Sequence, residues 1–296
     1  LLNLLGFKLC LSIVNMAEHT KRVGIIGLGI IGSRISDTLK KKGWEVSVWN
    51  RTEGKDQNSL SSPAEVLKKS RFIQIFVRDG NALHEIIDNF KSELTPDHVI
   101  INHATISLED TKSAHEKITS FGASFLDCPF TGSRDAAAAG LLNYYVGGDE
   151  EILQQSQSLL TDSSNSITHL GQIGTATVFK IATNMISATT VAILAESLAV
   201  CKVGEVKLEK MLEAMTVNAC SSGLTNMKLP TMLEGNYEPH FSLKNMLKDA
   251  EFGLSMADNK GISLPVLKAA AHSMQSQMEK NRDDEDYSVV YRNFTD

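Results

Sequence analysis

Residues 22–33 read RVGIIGLGIIGS, a short β-branched run that passes directly into Gly27, Gly29 and Gly32. A helix-compatible segment follows at 33–42, and residues 45–49 form a second strand-like run, so the pattern predicts a strand–turn–helix–strand unit. In such a unit Gly27 permits the tight turn, Gly29 lets the backbone approach a pyrophosphate, and Gly32 allows the helix to pack closely on the strand. The alternative is a glycine-rich turn without a ligand. The residues predicted to hold a dinucleotide at this turn are Gly27, Leu28, Gly29, Ile30, Ile31 and Gly32.

Selectivity for the nucleotide is expected at the end of the second strand. Turns that bind NAD usually carry Asp or Glu there, which accepts hydrogen bonds from the ribose hydroxyls. This sequence instead has Asn50, Arg51 and Thr52. No carboxylate stands at these positions to repel a 2′-phosphate, and Arg51 can pair with one. We therefore expect NADP as the cofactor rather than NAD; the competing interpretation places Arg51 in a solvent-exposed loop without a ligand.

The rest of the first half alternates between strand and helix patterns. Further strand-like runs occur at 72–77, 99–102, 124–127 and 144–147, with helix-compatible stretches, such as 63–70, between most of them. Strands separated by helices of this length are typical of a mostly parallel, doubly wound sheet. The fold class predicted for this half is therefore α/β, of the Rossmann type.

The pattern changes near Gly174, after which no strand signal remains. Residues 175 to about 203 form one long run rich in Ala, Ile, Leu and Val. Its length would cross a bilayer, but polar residues interrupt it, which favours a buried helix of an all-α domain. The helical segments that follow are 208–219, 243–257 and 265–280. We expect an extension outside the fold at 1–20, a Rossmann domain at 21–178 and an all-helical domain at 179–296, to which the family resemblance described below assigns substrate binding and dimerisation.

Composition excludes several classes of protein. With 296 residues, of which 42% are hydrophobic and 22% charged, the chain has enough apolar material for about two folded domains. A net charge of −6 argues against broad binding to a nucleic-acid backbone. The four cysteines lie far apart and show no zinc-ligand spacing. We expect a reduced, cytoplasmic protein without a structural metal and without a membrane partner.

The first fifteen residues, LLNLLGFKLCLSIVN, are apolar but shorter than the ~20 residues of a spanning helix. A basic start and a small-residue cleavage site, which a signal peptide would carry, are not evident. Met16 reads like a natural cytosolic start. We interpret residues 1–15 as an extension upstream of the fold, with a packed N-terminal element as the alternative.

A second constellation lies at residues 127–133, DCPFTGS, where a predicted strand ends in a loop that runs on to residues 139–141. Thr131, Gly132 and Ser133 offer small hydroxyls and freely approachable backbone N–H groups. Donors of this kind can converge on the two oxygens of a carboxylate. Taken alone, the same residues are equally compatible with an ordinary turn at the end of a strand.

A third constellation is GQIGTATVFKIATN at residues 171–184. Lys180 and Asn184 are four residues apart and share one face of the long helix. Burying a lysine on an otherwise apolar helix costs free energy, so its presence there indicates a functional role. Such a lysine can exchange a proton with a substrate oxygen. Asn184 can both donate and accept hydrogen bonds, so it can hold Lys180 and a substrate hydroxyl. The alternative is a helix lysine whose stem is buried and whose amine reaches water.

The ordered set of GLGIIG, DCPFTGS, GQIGTATVFKIATN and Lys248-Asp249 resembles the β-hydroxyacid dehydrogenases from about residue 21 to the end of the chain. The resemblance implies a Rossmann domain, an all-helical domain begun by a long interdomain helix, and a cleft between them. It also implies reversible hydride transfer between NAD(P) and a small hydroxy acid.

By position, the resemblance implies a role for individual residues. Lys180 matches the catalytic lysine, which donates a proton in reduction and accepts one in oxidation, and Asn184 matches the asparagine that helps to position the substrate. Residues 131–133 match the loop that binds the substrate carboxylate. Lys248 matches the lysine that closes over the cofactor near the nicotinamide, and Thr105 matches a threonine near the cofactor ribose.

Several positions depart from the family pattern. Thr131 replaces the usual serine, and Phe130 is bulkier than the common valine. Asn102 and His103 stand where a stretch containing Asp is frequent, and Arg78 follows a strand where many members have an apolar residue. None of these changes removes a group that performs the chemistry.

The sequence therefore predicts an NADP-dependent reductase of short aldehyde or keto acids, of the succinic semialdehyde or glyoxylate type. The run Asn50-Arg51-Thr52, which resembles the NADP-preferring reductases of the family, favours this over 3-hydroxyisobutyrate dehydrogenase, which usually uses NAD. Lys180 argues against imine reductases, which generally lack a lysine there. A dinucleotide-binding module without turnover remains as an alternative of another class. The long helix is apolar around much of its circumference, so we also expect the chain to form oligomers. The resemblance implies a homodimer or homotetramer formed through the C-terminal domain.

Overall fold

The computed structural model describes residues 21–52, 54 and 56–296; the predicted extension at residues 1–20 lies outside them. The chain divides into two compact units. The first comprises the described residues up to Ala104 together with Ser113–His169, and the second comprises Thr105–Lys112 together with Leu170–Asp296. Residues 170–178, which the sequence analysis placed in the first domain, fall in the second unit because they lead into a helix that begins at Thr175.

An eight-stranded sheet forms the centre of the first unit. Its strands run in the order β2-β1-β3-β4-β5-β7-β6, and β8 pairs with β7. The first five strands along the chain pair in parallel with one another, whereas β7 is antiparallel to both β5 and β6. The predicted mostly parallel sheet is thus confirmed. The strands are β1 (Arg22–Ile26), β2 (Glu45–Trp49), β3 (Phe72–Ile75), β4 (Val99–Asn102), β5 (Ser124–Asp127), β6 (Phe130–Thr131), β7 (Leu142–Gly147) and β8 (Ser164–Gly171).

Helices connect the parallel strands, and polar side chains cap several of them. Ser62 accepts a hydrogen bond from the Glu65 N–H at the start of α2, and Asp79 accepts one from the Ala82 N–H at the start of α3. The helices of this part of the chain are α1 (Ile30–Lys41), α2 (Pro63–Leu67), α3 (Gly80–Phe90), α4 (Leu108–Thr119), α5 (Arg134–Ala139) and α6 (Glu150–Thr161).

The strand order places a topological switch point at β1. The chain goes from β1 to β2 on one side of it, and then crosses to β3 on the other side. In doubly wound sheets, ligands bind beyond the carboxyl ends of the strands at such a point. The residues at these ends are the glycine turn after Ile26, Asn50 and Arg51 after Trp49, and Phe76 after Ile75.

The second unit is helical, as predicted for the C-terminal half. Its core contains Val191, Leu198, Leu243, Met274 and Val290 among other apolar side chains. Of the described helices, the one long and apolar enough to cross a membrane is α7, but the core helix of a folded domain meets the same criteria. The helices are α7 (Thr175–Val203), α8 (Leu208–Met215), α9 (Gly223–Glu234), α10 (Leu243–Asp258) and α11 (Pro265–Met278), followed by a 3-10 helix at Tyr287–Phe294.

Several elements differ from the sequence-based expectation. Helix α1 begins at Ile30 rather than at residue 33, so Gly32 lies in its first turn. Strand β8 was not predicted, because its sequence, SNSITHLG, is largely polar and no residue in it is fully buried. Helix α9 was missed because Pro230 interrupts its pattern, although Ser222 and Thr225 form a capping box at its start. Helix α5 occupies part of the predicted loop after Ser133.

A buried ion pair ties the end of the chain to helix α9. Lys228 Nζ lies 2.7 Å from both carboxylate oxygens of Asp286, and both side chains are almost fully buried. Asp286 also accepts hydrogen bonds from the backbone N–H groups of His240, Phe241 and Ser288. Burial alone would raise the pKa of Asp286, but the charge and hydrogen bond of Lys228, together with Ser288, lower it overall.

We expect Lys228→Met to destabilise the protein by about 3–5 kcal/mol, because it leaves the Asp286 carboxylate buried without its counter-ion. The double variant Lys228→Met/Asp286→Asn should recover a large part of this loss. Urea unfolding measures both changes.

The matched control is Lys210→Met, which removes an exposed lysine paired with exposed Glu213 in the same unit. Its unfolding midpoint should stay close to that of the wild type, since exposed ion pairs contribute little. Equal effects of the Lys228 and Lys210 substitutions would contradict the assigned role of the buried pair.

Candidate active site

The glycine turn after β1 is closely packed on one side. Gly27 has φ +96°, and a Cβ atom placed on it would lie 2.0 Å from the carbonyl oxygen of Phe76. A Cβ on Gly32 would lie 2.0 Å from the carbonyl oxygen of Gly27, which shows how tightly α1 approaches the turn. Any larger side chain at either position would push the backbone apart. The two glycines therefore have the steric roles that the spacing predicts.

Gly29 lies on the open side of the same turn. A Cβ placed on it would meet no atom within 4 Å in the described part of the chain. Gly29 is also the N-cap of α1 and offers no side chain to the first backbone N–H groups of the helix. Open space in front of unsatisfied N–H groups and the positive end of a helix dipole suit a phosphate. The turn thus fits the pyrophosphate of a dinucleotide.

Asn50 links this turn to the loop after β2. Its Oδ1 atom accepts a hydrogen bond from the Leu28 N–H at 2.9 Å, and its Nδ2 atom donates to the Thr52 carbonyl at 2.8 Å. The Gly27 N–H also donates to the Trp49 carbonyl at 2.9 Å. The side chain predicted to contact the cofactor is therefore engaged in holding the turn and the Arg51–Thr52 loop in register.

Arg51 and Thr52 are exposed at the carboxyl end of β2. Together with Asn50 they stand where a carboxylate of an NAD-binding turn would lie, and none of the three carries a negative charge. A guanidinium group at this position can pair with a phosphate in bidentate fashion.

Residues 131–133 lie between β6 and α5. Thr131 is the last residue of β6, and Gly132 has φ +137°, a conformation that favours glycine. Ser133 is the N-cap of α5, and its Oγ atom accepts a hydrogen bond from the Ala136 N–H at 3.2 Å. A capping serine still has its hydroxyl hydrogen to donate, so Ser133 keeps a donor for a ligand.

In the second unit, Lys248 on helix α10 contacts residue 105. Its Nζ atom donates a hydrogen bond to the Thr105 carbonyl at 2.6 Å and lies over the ring of Phe252, 5.1 Å from its centroid. The same Nζ atom lies 3.1 Å from Asp249 Oδ1. Two residues that the resemblance assigns to the cofactor, Thr105 and Lys248, are thus in direct contact.

Asp249 is the centre of this cluster. It is almost fully buried, and its Oδ2 atom accepts a hydrogen bond from Asn184 Nδ2 at 2.6 Å. Burial raises the pKa of Asp249, although Lys248, Asn184 and Lys180 oppose the shift. One carboxylate therefore joins helix α7 to helix α10 and orients the amide of Asn184.

Lys180 lies one helical turn before Asn184 on α7 and is half-buried. Burial lowers the pKa of the Lys180 amine, and the charge of Asp249 opposes this shift. Within the described residues, no hydrogen bond holds the amine. An ammonium group with a lowered pKa is a suitable proton donor near neutral pH.

Sequence reasoning named Asp249 only as the neighbour of Lys248 and assigned it no role. A signal was present, because Met246, Asp249, Gly253 and Ala257 follow helical spacing and all four are buried. A carboxylate at a core position of an amphipathic helix indicates a buried partner. Among the described residues, no group of three or more His, Cys, Asp or Glu side chains is placed to hold a metal ion.

Comparison with known proteins covers nearly all of the described chain. Residues 22–171 match the family model described as the NAD binding domain of 6-phosphogluconate dehydrogenase. Residues 174–294 match the family model described as NAD-binding of NADP-dependent 3-hydroxyisobutyrate dehydrogenase.

The individual relatives that match this chain have low sequence identity to it. Glyoxylate/succinic semialdehyde reductase 1 of Arabidopsis thaliana is 28% identical over 278 residues, which cover 90% of this chain and 96% of that protein. Cytokine-like nuclear factor N-PAC of Mus musculus is 26% identical over 92% of this chain, which spans 50% of that protein's length. The solved structure of 3-hydroxyisobutyrate dehydrogenase from Mycobacterium tuberculosis with L-serine has a TM-score of 0.85 at 21% identity, covering 93% of this chain and 99% of the other, and shares its fold.

We expect Asp249→Asn to lower the pKa of Lys180 further, because the substitution removes the negative charge that opposes the effect of burial. Only the neutral amine reacts with an acylating reagent, so the pH midpoint for labelling of Lys180 should move to lower pH. Peptide mass spectrometry after brief labelling at a series of pH values measures the midpoint.

Asp258→Asn is the matched control, since Asp258 is an exposed carboxylate at the end of the same helix. It should leave the labelling midpoint of Lys180 unchanged. An unchanged or higher midpoint in the Asp249 variant would contradict the electrostatic assignment.

Proposed function

Because the chain belongs to the β-hydroxyacid dehydrogenase family of NAD(P)-dependent oxidoreductases, we propose that it reduces a short carboxylate-bearing aldehyde or keto acid, of the succinic semialdehyde or glyoxylate type, with NADPH. The observation that carries the proposal is the half-buried amine of Lys180, whose pKa is lowered by burial, one turn from Asn184. A non-catalytic nucleotide-binding module has no need of a lysine in this state.

The chain's own residues divide the work. Thr131, Gly132 and Ser133 bind the substrate carboxylate through hydroxyl and backbone donors. Asn184, oriented by Asp249, holds the substrate oxygen. A nicotinamide dinucleotide held at the Gly27–Gly32 turn would supply the hydride for the carbonyl carbon. Lys180 gives its proton to the oxygen, so the product is a hydroxy acid and the lysine is left neutral.

The preference for NADPH rests on the loop after β2. Asn50, Arg51 and Thr52 present one positive and no negative charge, and Asn50 fixes the loop through the Leu28 N–H and the Thr52 carbonyl. A 2′-phosphate gains a charge-assisted partner in Arg51, and NADH offers no group to use it. The relative of Arabidopsis thaliana named as a glyoxylate/succinic semialdehyde reductase supports the substrate class.

The test is the initial rate of NADPH oxidation with succinic semialdehyde and with glyoxylate, repeated with NADH. We expect turnover with NADPH that falls by about 10²–10⁴-fold in Lys180→Ala, the range typical of a lost general acid. Lys202→Ala, at the far end of the same helix, is the matched control and should keep the wild-type rate.

Arg51→Gln should raise the KM for NADPH by about tenfold or more and leave the KM for NADH nearly unchanged, since it removes a charge-assisted hydrogen bond to the 2′-phosphate alone. Oxidation of 3-hydroxyisobutyrate with NAD in place of these reductions would replace the proposal by the alternative dehydrogenase. Tight NADPH binding without turnover on any acid would favour the non-catalytic module.

We also propose that two copies of the chain associate through helix α7. Phe179, Ile186, Ile193 and Val200 recur every seven residues along it, with exposed fractions of 41%, 65%, 55% and 71%. A seven-residue apolar repeat forms a continuous seam on one face of a helix, and the same seam on a second copy is complementary to it. A helix with an apolar stripe of this length is costly to leave in water.

Light scattering during gel filtration tests this association. The wild type should have the mass of a dimer or tetramer, and Ile193→Glu, which places a charge in the middle of the stripe, should shift it towards the monomer. Val217→Glu, at an apolar residue that is 89% exposed outside the stripe, should not. A monomeric wild type at micromolar concentration would overturn the assignment.

A further inference from the structure

A histidine lies at the carboxyl end of strand β4, where the proposed function assigns no task. His103 follows Asn102 and is almost fully buried. Its Nδ1 atom lies 2.7 Å from the carbonyl oxygen of Cys128, and its Nε2 atom lies 2.8 Å from Oε1 of the Gln74 side-chain amide on β3. The imidazole is thus held from two neighbouring strands, at the edge of the sheet where the glycine turn also lies.

The imidazole of His103 is neutral, since burial lowers its pKa to about 3. A neutral imidazole donates from one nitrogen only, and the Cys128 carbonyl can only accept, so Nδ1 carries the hydrogen. Nε2 must then accept, so the hydrogen-bond network requires the Gln74 amide to be turned over, with its NH₂ group in place of Oε1 against the ring. That orientation also gives a partner to the Gln74 nitrogen, which otherwise has none among the described residues. The ring is fixed at both nitrogens without any charge.

The fixed ring lies flat against Phe76. The two ring centroids are 4.4 Å apart, with 10° between the planes. Phe130 packs beside this pair, with its ring centroid 6.4 Å from the ring centroids of both Phe76 and His103. Stacked rings that are also hydrogen-bonded at their edges have little freedom to rotate. His103 therefore fixes the position of Phe76.

Phe76 in turn forms the wall of the glycine turn. Its N–H donates to the Ile26 carbonyl at 2.8 Å, and its carbonyl oxygen is the atom that a Cβ on Gly27 would meet at 2.0 Å. Its own Cβ atom lies 3.2 Å from where a Cβ on Gly32 would be. A small displacement of Phe76 would therefore move the Gly27–Gly32 turn directly.

We propose that His103 is a positioning residue for the cofactor, which holds Phe76 against the Gly27–Gly32 turn and so fixes the shape of the pyrophosphate site. The proposal rests on the proposed function only in that the chain binds a nicotinamide dinucleotide. Because the pyrophosphate is common to NADPH and NADH, loss of His103 affects both cofactors equally. Arg51, in contrast, distinguishes between them.

The experiment is fluorescence titration of the full-length protein with NADPH and with NADH. His103→Leu, which removes the stack and both hydrogen bonds, should weaken both affinities by about tenfold at an unchanged ratio, because a small misplacement of a binding group is expensive. With succinic semialdehyde as the substrate, the KM of His103→Leu for the cofactor should rise, while its kcat at saturating cofactor should stay within about twofold of the wild type. His103→Phe keeps a ring against Phe76 and should recover most of the affinity.

Tyr144→Phe is the control for a general disturbance of the core. Tyr144 is buried beside His103, with ring centroids 5.0 Å apart, and its hydroxyl contacts Ser163. Loss of this hydroxyl should lower the melting temperature without changing the affinity for NADPH or for NADH.

The proposal is overturned if folded His103→Leu binds both cofactors within twofold of the wild type, if Tyr144→Phe weakens them as much, or if His103→Phe binds as weakly as His103→Leu. Should His103→Leu fail to fold, Gln74→Leu takes its place, with a parallel loss of about two- to threefold expected and unchanged binding contradicting the proposal. A wild type that binds neither dinucleotide refutes the proposed function instead.

Discussion

The carbonyl group of Phe76 lies against the Cα atom of Gly27, and the geometry of the cofactor end of the sheet depends on this contact. It leaves no room for a side chain at Gly27 and sets how closely the turn after β1 can approach the end of β3. On the other side, Asn50 holds the same turn through the Leu28 N–H. The turn is thus fixed from both neighbouring strands, while its Gly29 side stays open to a phosphate.

A single buried carboxylate organises the chemistry of the second unit in a comparable way. Asp249 orients Asn184 through one oxygen and faces Lys248 with the other. The two lysines near this carboxylate have different surroundings. Lys248 donates to a backbone carbonyl, whereas burial lowers the pKa of Lys180 and the charge of Asp249 opposes this shift.

The extent to which sequence alone predicted this structure follows from the strength of its local patterns. The parallel strands are short apolar runs between turn and helix patterns, and α7 is one long apolar run, so both were predicted. Strand β8 and helix α9 were not, because a polar edge strand and a helix with an internal proline owe their conformation to tertiary partners. The glycines were assigned from spacing. The hydrogen bonds that Asn50 and Asp249 accept were not predictable, because their donors, the Leu28 N–H and Asn184, lie 22 and 65 residues away in the sequence.

The segment Thr105–Lys112 shows that neither unit is one continuous stretch of chain. It is held in the second unit by the bond from Lys248 to the Thr105 carbonyl and by the 3.0 Å contact between the hydroxyls of Thr111 and Thr177. A gene fragment that begins at residue 170 therefore encodes an incomplete helical unit.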